Sequence, residues 1–343
     1  MWGVVTVVFL LFNVLPGDPA RMMLDQREDS EQLKNIRAKY GFDKPLFTQY
    51  SLYLNDLSLL SLHSQNPNDY SYLETKAYNY LKLGSIMHTD IVVKYPFLRT
   101  SFKKTGKSVS EVINETLPNT IILAISSILI AIIFGVFIGI LAAIYKDKLI
   151  DKLALFFGVF GMSIPSFFSA IIIAWAFGFL LNDFTGLNMT GSLFSVDDYG
   201  RGKYLSLNNL ILPAFTLGIR PLAVIIQLTR SSFLETLTQD YVRTAHAKGL
   251  SLIKVLKKHV LKNSLNPVIT AVSGWFASLL SGAVFVEYIF AWNGIGKEIV
   301  DALNQLDLPL VMGIVLTIAL MFVIINILVD LMYGWLDPRI RIS

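Results

Sequence analysis

Apolar residues along the chain fall into long runs separated by short basic stretches. Five runs are long enough to cross a bilayer: about Leu117 to Tyr145, Leu153 to Leu181, Leu210 to Thr229, Val268 to Phe290 and Leu310 to Trp335. Each reaches or exceeds the roughly 20 residues that a spanning helix needs. A sixth run, Trp2 to Leu15, holds about 14 residues and ends at Pro16-Gly17-Asp18-Pro19. It has the length of a signal-peptide core, but lacks a basic region before it and a small-residue cleavage site after it. The pattern predicts an all-α polytopic membrane protein with six transmembrane helices. Residues 16–116 are polar and mixed in charge, with no apolar run of spanning length.

Between the fourth and fifth long spans, counting Trp2 to Leu15 as the first, lies a stretch of another kind. Residues Tyr241 to Lys248 suit a helix, Gly249 can adopt the left-handed conformation that ends one, and Ser251 can cap the next. Leu252, Ile253, Leu256 and Val260 then recur at helical spacing, with Lys254, Lys257, Lys258 and Lys262 covering the other side. This predicts an amphipathic elbow, too short and too charged to cross a membrane. Physics alone allows it to be a pair of surface helices whose lysines reach anionic lipid.

Lys and Arg in short loops set the orientation. Residues 145–152 carry three, residues 230–262 carry seven and the tail beyond Pro338 carries two, twelve in all. The opposite side has Arg201, Lys203 and Lys297. The elbow and both termini are therefore expected in the cytoplasm and the long polar segment outside. Composition agrees with a membrane location: 54% of residues are hydrophobic, 16% are charged, and mean hydropathy is +0.56. The net charge of +4 lies beside apolar spans and not in one aromatic-interleaved patch, so nucleic acid is not an expected partner. With no Cys, disulfides and thiolate chemistry are excluded, and His63, His88, His246 and His259 offer no metal spacing. Gly106-Lys107-Ser108 mimics the end of a phosphate-binding loop, but Ser101 stands where that motif needs glycine, so no ATPase is expected in this chain.

The wording of the elbow, Tyr241-Val-Arg-Thr-Ala-His-Ala-Lys-Gly-Leu-Ser251 with Val255-Leu-Lys-Lys-His259 and Asn263-Ser-Leu-Asn-Pro267, closely resembles the cytoplasmic coupling loop of binding-protein-dependent ABC importer permeases. The peptide and nickel branch is the nearest match, in particular its first permease subunit type, and the resemblance runs over nearly the whole chain. The family's general pattern of Glu-Ala-Ala, three residues, Gly, nine residues, Ile, any residue, Leu-Pro falls on Arg243-Thr244-Ala245, Gly249, His259, Leu261 and Lys262, so its Glu, Ile and Pro are absent. Phe290-Ala-Trp-Asn-Gly-Ile-Gly296 resembles the family's external turn, with Asn293 where proline is usual, and Leu336-Asp-Pro-Arg339 resembles its cytoplasmic end. Members carry basic and further apolar residues upstream, so residues 1–15 are expected to be an N-terminally truncated first span. Relative to the family, about 55–80 looks like an insertion. The permease core is expected at 117–336, with its coupling loop at 230–266 and a tail at 337–343.

The resemblance implies a transmembrane subunit of an ATP-driven importer for oligopeptides or dipeptides. It would work with a second permease subunit, two ABC ATPases and an extracytoplasmic solute-binding protein, within membrane lipid. ATP and Mg would be held by the ATPases, and this chain would bind no cofactor and no metal. ATPase coupling falls on Tyr241, Arg243, Ala245, Ala247, Lys248, Gly249, Leu250 and Ser251, where small residues allow a partner's groove to approach closely. A substrate pathway is expected from the Gly158, Gly161 and Pro165 kink with Ser163 and Ser166, from Gly274, Ser278, Ser281 and Gly282, and from Arg220, which would attract a peptide's C-terminal carboxylate or, on the bland reading, pair with a backbone carbonyl or with Glu287. Nickel or another small solute is the alternative cargo. An ion-coupled secondary transporter is the rival class, and it would need intramembrane acids that are sparse here. An intramembrane enzyme would need a nucleophile with a base, or a His/Asp metal set, within the spans, and no His falls there.

Overall fold

The computed structural model describes residues 2–14, 30–67, 69, 71–72, 80–196 and 202–336. Among them the chain is mostly helical. Three helices are long and apolar enough to cross a membrane: Val109–Ile144, Asn208–Leu237 and Leu308–Leu331 of the Leu308–Leu336 helix. A fourth candidate is the pair Leu149–Ser163 and Ser166–Leu180, bent by 110° at its break. Trp2–Phe12 and Asn266–Leu280 are shorter apolar helices. Helices thus fall where each of the six apolar runs was read. Pro16 to Pro19, Arg201 and the tail from Asp337 lie outside the described residues.

The sharp bend follows from local chemistry. Ile164 precedes Pro165 and takes the extended conformation that a following proline imposes (φ −79°, ψ 130°). Pro165 then caps the Ser166–Ile173 helix, which continues as a π-helical stretch over Ala174–Leu180.

The chain divides into two compact units. The first comprises 1–115 and 299–319. In it the Trp2–Val14 helix packs Val5, Val8 and Phe9 against Tyr53 of the Leu46–Leu57 helix and Leu316. Asp307, almost fully buried, accepts hydrogen bonds from Ser101 Oγ and from the backbone N–H of Phe102 (3.0 Å) and Lys103 (3.2 Å), so the 101–103 segment is tied to the start of the last long helix.

This unit also amends the all-α expectation. Strands β1 (Leu60–Ser64), β2 (Tyr80–Ile86) and β3 (Thr89–Lys94) form an antiparallel sheet in the order β1-β3-β2. The turn of β2 into β3 uses two residues, Met87 and His88, with Met87 at φ +44°. Part of the 55–80 stretch, read as an insertion relative to the family, supplies strand β1; residues 68, 70 and 73–79 are outside the described set.

The second unit comprises 116–298 and 320–343. Its core gathers Leu123, Ala170, Leu212, Leu217, Leu279, Phe290, Trp292 and Ile325. The Val109–Ile144 and Asn208–Leu237 helices meet closely at Gly135 and Gly139: a Cβ on Gly135 would lie 2.7 Å from Ile225 Cγ2, and one on Gly139 2.6 Å from Thr229 Cβ. This is small-residue packing of the kind membrane helices use where burial offers no driving force between them. A two-stranded ribbon, β4 (Phe194–Val196) with β5 (Lys203–Leu205), is a further departure from all-α.

Candidate functional site: the elbow and its supports

The elbow comprises the Asp240–Ala247 helix, a turn, and a second limb from Leu252 to Ser264. The turn is a Schellman motif. Gly249 sits at φ +75°, Leu250 N–H donates to Ala245 O (3.4 Å) and Gly249 N–H to His246 O (2.9 Å). Ser251 takes the N-cap position with extended backbone, but its side chain makes no capping hydrogen bond.

One face of the elbow is packed inward. Val242, Ala245, Val255 and Val260 join Ala143 and Phe233, with Leu250 and Leu256 half-buried beside them. Two expectations are corrected here. Ala245 is small in order to fit this inner packing, and is not offered to a partner. Leu252 and Ile253 are exposed, although the spacing placed them on the apolar face with Leu256 and Val260. The second limb contains a π-helical turn over Leu256–Val260. Residues five apart are about 140° apart on an α-helix, so Val255 and Val260 reach one pocket only because the extra residue is absorbed there.

The outer face carries Tyr241, Arg243, Ala247, Lys248 and Gly249, all exposed, together with Leu252 and Ile253. Asn263 Nδ2 donates to Tyr241 Oη (3.1 Å) and joins the two limbs. Arg243 makes an exposed contact with Asp240 at 3.6 Å, a pairing worth little. A Cβ added at Gly249 would meet nothing within 4 Å, so the space beyond it is open.

A support that no sequence motif marks joins the Leu149–Ser163 and Asn208–Leu237 helices. Arg230 grips Asp151 in a bidentate pair, Nε to Oδ1 at 2.5 Å and Nη2 to Oδ2 at 2.7 Å, and Asp147 N–H donates to Asp151 Oδ2 at 2.9 Å. The Asp151 side chain is 2% exposed. The pair ties the 145–152 loop to the helix that leads into the elbow. No local pattern marks it, because the partners are 79 residues apart.

The residues expected along a substrate path are not brought together by contacts among the described residues. Ser163 is exposed, and its hydroxyl donates to Val159 O (2.8 Å). Pro165 and Ser278 are exposed and Ser166 is half-buried; the side chain of Ser281 lies outside the described residues. Gly158 and Gly161 are buried against Ala223, Gln227 and Ile219, which is helix packing. Arg220 is exposed and does not pair with Glu287. Glu287 is fully buried and accepts from the N–H of Gly296 (2.6 Å) and Lys297 (3.3 Å), at the start of the Ile295–Asn304 helix. A carboxylate there meets the positive end of the helix. Trp292, also fully buried, donates from Nε1 to Asn119 O (3.1 Å), and Asn119 Nδ2 donates to Asn293 O (2.7 Å), so the 290–296 turn is locked to the Val109–Ile144 helix.

Long apolar helices and a packed elbow with an open outer face define a helical membrane protein with one charged, partly exposed elbow. Residues 135–342 match the family described as binding-protein-dependent transport system inner membrane component, and residues 1–69 match its N-terminal part. The chain belongs to that family and is an integral inner-membrane protein working within a transporter complex. It is 33% identical over 352 residues to the dipeptide transport system permease protein of Alkalihalophilus pseudofirmus, covering 99% of this chain and 95% of that one. It is 34% identical over 340 residues to the dipeptide transport system permease protein of Bacillus subtilis (99% and 93%). Among solved structures, an amino acid ABC transporter shares the fold at a TM-score of 0.50 and 14% identity, over 65% of this chain and 93% of that chain.

Proposed function

We propose that this chain is the transmembrane permease subunit of an ATP-driven importer of dipeptides or oligopeptides, and that the outer face of its elbow is where a separate ATPase takes hold. The observation that carries this reading is the two-sidedness of the elbow. Its inner face is packed into the membrane helices, while Tyr241, Ala247, Lys248, Gly249, Leu252 and Ile253 stand open toward the side that the basic loops assign to the cytoplasm. A force applied to that face passes through Phe233 and Ala143 into two long helices. The peptide cargo is supported by full-length relatives whose names specify dipeptide transport. Six spans with both termini in the cytoplasm, a second permease subunit, two ATPases holding ATP and Mg, and an external binding protein complete the reading. In it, Ser163, Pro165, Ser166, Ser278 and Arg220 line the path once the second permease covers their exposed side, and Ser281 belongs to the same path.

The test is uptake and ATP hydrolysis in vesicles reconstituted with the ATPases, the second permease and the binding protein. Gly249→Val forces a β-branched residue to positive φ, at about 1–2 kcal/mol, and adds bulk to an open face. It is expected to abolish peptide uptake and to lower or uncouple hydrolysis while the complex still assembles. Gly249→Asn, which tolerates the left-handed conformation, separates backbone shape from bulk. Normal coupled uptake by the Val variant sinks the coupling role of the elbow.

A further inference from the structure

The second limb of the elbow carries two sets of apolar residues, and the structure packs one of them. Val255 and Val260 are both 0% exposed, whereas Leu252 and Ile253 are 59% and 67% exposed. On a continuous α-helix successive residues lie about 100° apart, so with Val260 inward Leu256 and Ile253 would fall within about 40° of it and Val255 about 140° away. The π-helical turn over Leu256–Val260 is what exchanges the two sets. Undoing it would rotate the Leu252–Val255 segment by about 100°, bring Leu256 and Ile253 inward and put Val255 on the outer face.

Nothing in the local sequence imposes that turn. No Gly or Pro lies between Leu252 and Ser264, and the Leu and Lys residues that dominate the segment favour the α-helix. The residues around the turn keep helical backbone: Val255 has φ −62° and ψ −48°, Leu256 −60° and −50°, and Leu261 −56° and −47°. Single π turns are rare and concentrate at functional sites. This one is held by packing, because it seats both valines in the cluster with Ala143, Phe233, Val242 and Ala245. Seating the larger Leu256 in place of Val255 would require the limb to move outward from that cluster.

The two ends of the segment suit such a rotation. Upstream, Gly249 stands at φ +75° with open space beyond it, and the Ser251 side chain makes no capping hydrogen bond that would pin the start of the limb. Downstream, Asn263 Nδ2 donates to Tyr241 Oη (3.1 Å) and to His259 O (3.0 Å), so the part of the limb beyond the π turn stays joined to the first limb. Only the short stretch between these ends has to turn.

We propose that the second limb is a two-register element and that the ATPase on the outer face selects its register. In the π register Leu252 and Ile253 are presented to the partner; in the straight α register Ile253 is withdrawn and Val255 faces out. A partner that takes Leu252 and Ile253 into an apolar groove binds the first register in preference to the second, and such differential contact is what shifts a two-state equilibrium. The inference rests on the reading of the outer face as the ATPase contact, and adds to it a conformational step inside the elbow.

The absence of native cysteine makes the test direct. Leu252→Cys, Val255→Cys and Val260→Cys are each labelled with a maleimide in inverted membrane vesicles, from cells that make the full transporter and from cells that make it without the ATPases. Val260→Cys, inward in both registers, sets the floor. Without the ATPases Val255→Cys is expected to label severalfold faster than that floor; with them it should fall to the floor while Leu252→Cys becomes shielded. Deletion of Lys258 removes the extra residue and leaves Val255 and Val260 on one face of a continuous α-helix, so it should hold Val255→Cys at the floor in both preparations. Val255→Cys at the floor throughout, with Leu252→Cys shielded by the ATPases, overturns the two-register proposal and leaves the coupling reading standing. Labelling of Val255→Cys that the ATPases do not lower, or that survives deletion of Lys258 and so marks fraying, overturns it as well. Equal labelling of Leu252→Cys with and without the ATPases removes the coupling reading and the proposal together.

Discussion

Removing either partner of the Arg230–Asp151 clamp leaves the other charge without its partner. The Asp151 carboxylate is 2% exposed and accepts two guanidinium hydrogen bonds and one backbone hydrogen bond, so each of its oxygens is engaged. Breaking a buried pair from one side costs about 3–5 kcal/mol, and hydrogen bonds to a charged group contribute about 1.5–3 kcal/mol each. The Arg230 side chain is 19% exposed, so water recovers part of the loss when Asp151 is the residue removed. Asp151→Ala is therefore expected near the low end, about 3 kcal/mol, and Arg230→Ala, which strands the more deeply buried carboxylate, above it. The double variant should cost little more than either single one, because the second substitution removes the stranded charge. Arg230→Lys keeps the charge but loses the bidentate geometry and should recover part of the stability. The assay is thermal unfolding of the purified complex in one detergent, with ATPase stimulation by the binding protein measured in parallel. The clamp ties the 145–152 loop to the helix that leads into the elbow, so stimulation should fall in the single variants. Single variants within 0.5 kcal/mol of the parent, or losses that simply add in the double variant, would refute the clamp as a coupled unit.

Four further outcomes follow from other parts of the chain. Gly135→Leu and Gly139→Val push side chains into Ile225 and Thr229 and should destabilise by about 1–3 kcal/mol or more, read as loss of folded yield and lower melting temperature. Glu287→Ala frees the Gly296 and Lys297 amides at a helix start and should cost about 1.5–3 kcal/mol, with Glu287→Gln milder because it keeps an acceptor; hydrogen exchange at 295–298 reports both. His63 takes its place neutral, with Nδ1–H donating to Ser71 O and Nε2 accepting from Ser61, and burial, helped by nearby Lys94, holds it below its ordinary value of 6.5. The unfolded histidine then binds the proton more readily, so the sheet is fully stable above about pH 6.5 and loses stability as pH falls toward the folded value; hydrogen exchange across β1 and β3 at pH 7.5 and 5 should show it, and His63→Gln should flatten it. Lys257→Cys should resist an impermeant thiol reagent in intact cells while Ser85→Cys labels; the reverse pattern would invert the topology.

The apolar runs and the elbow's turn were legible because both are written in neighbouring residues. A bilayer demands about 20 consecutive apolar positions, so the helices lie where the runs do, and Gly249 stops a helix through its own backbone freedom, seen as φ +75°. The family wording of the elbow was equally local. What neighbouring residues do not encode is which side of an amphipathic element turns inward. Regular spacing put Leu252 and Ile253 on the packed face; the π-turn at Leu256–Val260 rotated Val255 and Val260 there instead. Long-range polar partners were equally hidden. Asp151 finds Arg230, and one carboxyl oxygen of Glu287 takes amides of the following helix and not Arg220, because a buried polar group is met by whatever donors the packing delivers, at any separation in sequence. Leu60-Ser61-Leu62-His63 alternates as a strand does, yet alternation says only that the two faces differ. Tertiary packing on the Leu46–Leu57 helix decided that the polar row would be the buried one, since Asp56 and Ser71 were there to satisfy Lys94 and His63, leaving the leucines outside.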